Sequence, residues 1–143
     1  MRVLIDTNVV VDVLQQREPW AQAGNRIFLS NANHLITGCL TAKELTDIYY
    51  FARKQFRGME DVDKRARNVI ENLMGLFEII DTLSEDCRNA VAIKNNDYED
   101  AVMIASAQRA EVDCIVTRNS EHYAAAQIPV YSPDSFLAVL EEH

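Results

Sequence analysis

Val3-Leu4-Ile5-Asp6-Thr7-Asn8 is the stretch from which the rest of the chain is read. Three apolar residues, two of them β-branched, form a short buried strand. It ends at a carboxylate, then a hydroxyl, then an amide. In an open parallel sheet, ligands sit just beyond the carboxyl ends of the strands, so Asp6 stands where chemistry is expected. A purely structural reading is also open: Thr7 or Asn8 caps the next helix and Asp6 supports the turn.

Outward from that strand, apolar spacing alternates between helical and extended. A short helix over 9–15 is broken at Glu18-Pro19, and a second runs over 20–31 on Trp20, Ala23, Gly24, Ile27 and Phe28. The stretch 34–38 reads as a second strand with His34 at its edge. Thr41-Ala42-Lys43-Glu44 is a capping box, a hydroxyl and a carboxylate satisfying each other's backbone N–H. It opens a helix striped by Leu45, Ile48, Tyr49, Ala52 and Phe56. Gly58 separates this from a polar helix over 60–73, which Gly75 ends, and 76–80 is a third strand. A helix over 84–94 and an Asn95-Asn96 turn lead to Asp97-Tyr98-Glu99-Asp100-Ala101, the start of an Ala-rich helix. Asp97 suits the cap of that helix, and three carboxylates in four residues repel one another without a cation nearby. A fourth strand over 113–117 ends in Thr117-Arg118-Asn119. A short helix over 121–126, an edge strand over 129–131 and a last helix beginning at Ser132-Pro133-Asp134 complete the chain.

The 143 residues suit one domain spanning 1–143. Hydrophobic residues at 48% and charged residues at 25% are the mix of a soluble globular protein. A net charge of −8 argues against a non-specific nucleic-acid coat, but not against a nucleic-acid enzyme whose metal offsets its carboxylates. The positive charge is local: six of the 14 basic residues fall within 53–67, on a helix face that is either simply solvated or a rim for phosphates. Cys39, Cys87 and Cys114 form no CxxC pair, which disfavours a zinc or disulfide framework and suits a cytoplasmic setting. Asp6 and Asp12 interrupt the apolar start, so no signal peptide is expected, and no stretch is long enough for a membrane span.

Strands alternating with helices imply a three-layer α/β/α fold: a central parallel sheet of four to five strands, with helices on both faces. In such a fold the carboxyl ends of strands and the N-termini of helices share one edge. Asp6, Glu44, Asp100 and Asn119 therefore converge, although Glu44 and Asp97 each have a reading as caps alone. Oxygen ligands without His or Cys suit Mg²⁺ or Mn²⁺, which generate hydroxide from water and polarise a phosphoryl oxygen. With four glycines, none in a P-loop or GxGxxG, nucleotide-cofactor binding is poorly supported.

Leu4-Ile5-Asp6-Thr7-Asn8, Thr41-Ala42-Lys43-Glu44-Leu45, Asp97-Tyr98-Glu99-Asp100-Ala101 and Thr117-Arg118-Asn119 resemble, in order and spacing, the acidic motifs of PIN-domain ribonucleases. The resemblance covers essentially the whole chain. It implies a metal-dependent endoribonuclease with an acidic pocket at the sheet edge. Small stand-alone members look like VapC-type toxins, neutralised by a small antitoxin protein and often homodimeric. By resemblance, Asp6 and Asp100 are the main metal carboxylates and Glu44 a further ligand, direct or through water. Thr7, Asn8 and Thr117 support them. Asn119 departs from the Asp of many members and puts a second metal in doubt; Glu121 or Asp97 then compensates. Basic side chains of 53–67, with Arg118, would position the RNA. Tyr49, Tyr50 and Phe51 are either core or a dimer face. Two rival readings remain: a catalytically degenerate PIN-like module that binds RNA or protein, and phosphoryl transfer through Asp6 as nucleophile.

Overall fold

The structure is a computed structural model that describes residues 1–142. Its elements follow in the order β1 (Arg2–Ile5), α1 (Thr7–Leu14), α2 (Ala21–Ala32), β2 (Thr37–Thr41), α3 (Ala42–Gln55), α4 (Val62–Leu76), β3 (Glu78–Ile80), α5 (Ser84–Ala92), α6 (Tyr98–Arg109), β4 (Cys114–Val116), a 3-10 turn (Ser120–Tyr123), β5 (Val130–Tyr131) and α7 (Pro133–Glu141). The five strands are parallel and lie in the order β3-β2-β1-β4-β5. The first strand of the sequence thus becomes the middle of the sheet. Chain order reverses between β1 and β4, the crevice where open α/β sheets hold ligands.

Period-two alternation sorts β1 between two cores. Val3 and Ile5 face one side and pack with Val9, Ile27, Leu40, Ile48 and Phe136. Leu4 faces the other side, with Cys39, Ile104, Ile115 and Tyr123. Helices cover both faces, so β1 is buried on both sides and carries no polar alternation. Pairing of Ile5 with Val116 makes Asp6 and Thr117 neighbours immediately beyond the two central strands. The Asp6 N–H still donates to the Val116 carbonyl at 2.9 Å, so the ladder runs to the edge of the site.

Three sequence expectations need correction. The second strand is Thr37–Thr41 and not 34–38, and His34 lies in a turn at φ 59°, outside the sheet. The buried Asn31 side chain decides this: its Oδ1 accepts the Gly38 N–H at 2.8 Å while its Nδ2 donates to the Leu76 carbonyl at 2.9 Å. Gly38 itself is required, since a Cβ there would stand 2.8 Å from the Phe77 ring. The helix expected to end at Gly75 continues to Leu76 and stops where Phe77 turns extended and packs edge-on against Phe28, 5.0 Å between centroids. Strand β3 is correspondingly short. The helix expected over 121–126 is only the 3-10 turn, tightened to bury Tyr123.

Candidate active site

Asp6 is itself the N-cap of α1, a role the sequence suggested for Thr7 or Asn8. Its Oδ1 accepts the Thr7 N–H at 2.7 Å, and its Oδ2 accepts the Thr117 hydroxyl at 2.7 Å from across the switch point. Asn8 braces the same crossing, accepting the Arg118 N–H at 3.3 Å and donating to Thr117 at 3.5 Å.

Glu44 closes the capping box of α3 and is also part of the site. Its Oε1 accepts the Thr41 N–H at 2.9 Å, and its Oε2 accepts the Thr7 hydroxyl at 3.2 Å. Asp97 caps α6 by accepting the Asp100 N–H at 3.2 Å. That cap orients the first turn of α6 so that Asp100 enters the site, while Asp97 stays exposed outside it.

Asp6, Glu44 and Asp100 line one cavity of 340 Å³ at the carboxyl edge of the sheet, with Thr7, Lys43, Asp47, Glu99 and Met103. Tyr50, Phe51 and Lys54, from the outer part of α3, complete its wall. Lys43 is tied to Asp47 at 2.6 Å and Glu99 at 3.3 Å. Of the basic run 53–67, Lys54 alone reaches this cavity. Asn119 does not line it; its backbone N–H donates to Thr117 at 3.1 Å and its carbonyl accepts from His122. Glu121 is likewise absent from the lining.

Electrostatically the site is strained toward binding protons or cations. Burial pushes the Asp6 carboxyl up, against the hydrogen bonds from Thr117 and Thr7 that favour its charge. Glu44, only 1% exposed, is pushed well above the ordinary range by burial and then by the Asp6 charge. Burial, followed by Asp6 and Asp97, pushes Asp100 up to about 6, opposed by His122 at 3.5 Å. Sequence reasoning passed over His122 and Tyr123, which the 3-10 turn folds against the acids. The Tyr123 hydroxyl is buried and lacks a hydrogen bond of normal geometry, and burial with the charges of Asp6, Asp100 and Glu44 pushes it far up. Their only sequence signal was position, a few residues beyond the strand end at Thr117.

This donor set suits a hard divalent ion: all oxygen, three mutually repelling carboxylates, and an orphaned hydroxyl beside them. As the side chains stand, no three acidic, His or Cys groups among the described residues enclose an ion. Asp6 is turned to Thr117, Glu44 to Thr41 and Thr7, and Asp100 to His122. The residues fit such an ion by donor type and charge.

The PIN domain family model matches residues 2–121. A search of curated proteins finds no match. Solved structures share the fold at low identity. A toxin-antitoxin complex from Klebsiella pneumoniae contains a chain 21% identical, with TM-score 0.65, covering 92% of this chain and 97% of that one. FitAB bound to IR36 DNA aligns at 17% identity and TM-score 0.72, covering 92% and 94%. VapBC2 from Rickettsia felis, bound to a promoter DNA fragment, aligns at 14% and TM-score 0.65, covering 92% and 98%.

Proposed function

The chain belongs to the PIN domain family, and from that premise we propose that it is a metal-dependent endoribonuclease, the VapC-like toxin of a toxin–antitoxin pair. The observation that carries the reading is the convergence of Asp6, Glu44 and Asp100 in one cavity where burial and mutual charge raise their affinity for a cation. Fold-level likeness to chains solved as toxin-antitoxin complexes supports the toxin assignment and a small antitoxin as partner.

In this reading Asp6 and Asp100 hold Mg²⁺ or Mn²⁺, with Glu44 as a further ligand. When bound, the ion supplies Lewis acidity toward a phosphoryl oxygen and a more acidic water. Thr117 and Thr7 keep Asp6 and Glu44 oriented, and their hydrogen bonds oppose the rise that burial imposes on both carboxyls. Asp97 fixes the helix start that presents Asp100. Asn119 adds no charge, so one ion is the expected complement. The chain acts on RNA and, by family likeness, as a homodimer in the cytoplasm. No helix among the described residues is long and apolar enough to cross a membrane.

The test is cleavage of total cellular RNA with cut sites mapped by primer extension, in Mg²⁺ or Mn²⁺, in chelator, and with Asp6→Asn. Discrete metal-dependent cuts that vanish in the variant are expected. Equal cutting by Asp6→Asn would remove the assignment. RNA binding without cutting in any condition would make the chain a PIN-fold binding module.

A further inference from the structure

A second strip of chemistry leaves the acidic cavity along the flank of α1. Phe51, on the cavity wall, has Arg17 and Lys54 each 5.9 Å from its ring centroid. Arg17 stands 3.9 Å from Asp12. Arg118 holds both oxygens of that Asp12, through Nε at 2.6 Å and Nη2 at 3.2 Å. The Arg118 guanidinium in turn lies 4.0 Å from the Trp20 ring centroid. Trp20 is 45% exposed and borders a 350 Å³ cavity with Arg118, Ser132 and Asp134, where β5 ends and α7 begins. The strip therefore runs ring, cation, buried carboxylate, cation, ring. Both ends lie at the carboxyl edge of the sheet.

Arg118 alone neutralises Asp12, so Arg17 and Lys54 leave the strip positive in a chain of net charge −8. The carboxylates facing it are Asp134, on the far wall of the outer cavity, and Asp47 and Glu99, which share the inner cavity wall with Lys54 and are themselves paired with Lys43. Nor does the core need an indole left half in water. Rings alternating with cations are what single-stranded nucleic acid requires: bases stack on the rings and phosphates meet the cations. Arg118 covers one face of the Trp20 ring, and the part of the indole that stays exposed is what a base stacks on. A duplex gains nothing here, because its bases are already stacked inside.

We propose that Phe51, Arg17, Arg118 and Trp20 form a track that leads single-stranded RNA to the acidic cavity, with a base stacked on Trp20 and phosphates against Arg17 and Lys54. The proposal takes its RNA substrate from the nuclease reading and adds the path and the residues that hold it. Trp20 is the one tryptophan in the chain, so its emission reports on this position alone.

The experiment uses Asp6→Asn in chelator, with fluorescein-labelled oligoadenylate followed by anisotropy and unlabelled oligoadenylate followed by Trp20 emission. Saturable quenching that tracks the anisotropy is expected, with weaker binding of a blunt RNA duplex. Trp20→Ala should weaken binding by about tenfold, and Trp20→Phe should restore most of it. With Mn²⁺ and an otherwise unaltered chain, Trp20→Ala should raise KM and leave kcat in place. Unchanged emission at RNA concentrations that saturate the anisotropy overturns the track, even when the unaltered protein cuts RNA; so does absence of RNA binding, or equal affinity for the duplex. Quenching by oligoadenylate together with no cleavage by the unaltered protein leaves the track standing and removes the nuclease assignment instead.

Discussion

Glu44 and Asp86 occupy the same local position and have opposite surroundings. Each is the third residue of a helix, each accepts a backbone N–H three residues back, at 2.9 Å in both cases, and each is buried, at 1% and 0% exposure. Around Asp86, Arg109 donates from Nε to Oδ1 at 2.7 Å and from Nη2 to Oδ2 at 3.1 Å, and the Ser106 hydroxyl donates at 2.9 Å. Burial alone would raise the Asp86 carboxyl; these partners hold it below the ordinary range instead. Around Glu44 the neighbouring charge is Asp6, and its carboxyl goes well up. Capping is thus compatible with either role. What separates the two carboxylates is whether the fold delivers an arginine to the buried charge or sets a second carboxylate beside it.

The contrast can be broken at four places, the largest effect first. Arg109→Ala strands Asp86 as an uncompensated buried charge and should destabilise the fold by about 3–5 kcal/mol in urea unfolding. Adding Asp86→Asn to that variant should recover part of the loss. Asp6→Asn should lower RNA cleavage by more than the roughly 100-fold that loss of a mere supporting group costs at a metal site, with the circular dichroism spectrum unchanged.

Glu44→Gln keeps a capping side chain, since Gln serves in the box, while it removes the repulsion with Asp6. In chelator it should raise unfolding stability, since burial and the Asp6 charge both disfavour the ionised Glu44, and still impair cleavage. A loss of stability comparable to that of Arg109→Ala would erase the distinction between the two carboxylates.

The last break is in the pH dependence of stability, where the two regions have opposite signs. Asp100 binds its proton more tightly folded than unfolded, so in chelator stability should fall as pH rises from about 4 through about 6. Mn²⁺, or Asp100→Asn, should flatten that slope. Asp86 binds its proton less tightly folded, so its contribution is present above about 4 and is lost as pH falls below that. Thermal melts across this range with and without metal measure both arms.

Much of this could be read along the chain. The strand at Val3–Ile5, the capping box at Thr41, the Asp97 cap and the Pro133 helix start are local devices, whose physics is complete within a few residues, and each appears where its residues predict. The misplaced second strand shows the limit. Leu35-Ile36 is apolar enough for a strand, but the register is set by the Asn31 amide, by Arg2 pairing with Thr37 and by Phe77 pressing on Gly38, all remote in sequence or in the next layer. The basic run 53–67 divides in the same way, with Lys54 on the wall of the acidic cavity and the others outside it. Arg67 pairs with Asp63 one turn away, whereas the arginines of the Trp20 strip come from separate parts of the chain and join only through Asp12.

By itself, the sequence determined the α/β class, the one-edge convergence expected of Asp6, Glu44 and Asp100, and the caps that start their helices. Those follow from periodicity and from hydrogen bonds spanning three or four residues. The tertiary structure alone decided which acids were left without a cation, that Thr117 would reach Asp6 at the switch point, and that Tyr123 would be buried unpaired beside them. Burial and charge pairing depend on neighbours brought in from other strands and helices, and no spacing along one chain encodes whether a carboxylate will meet an arginine or another carboxylate.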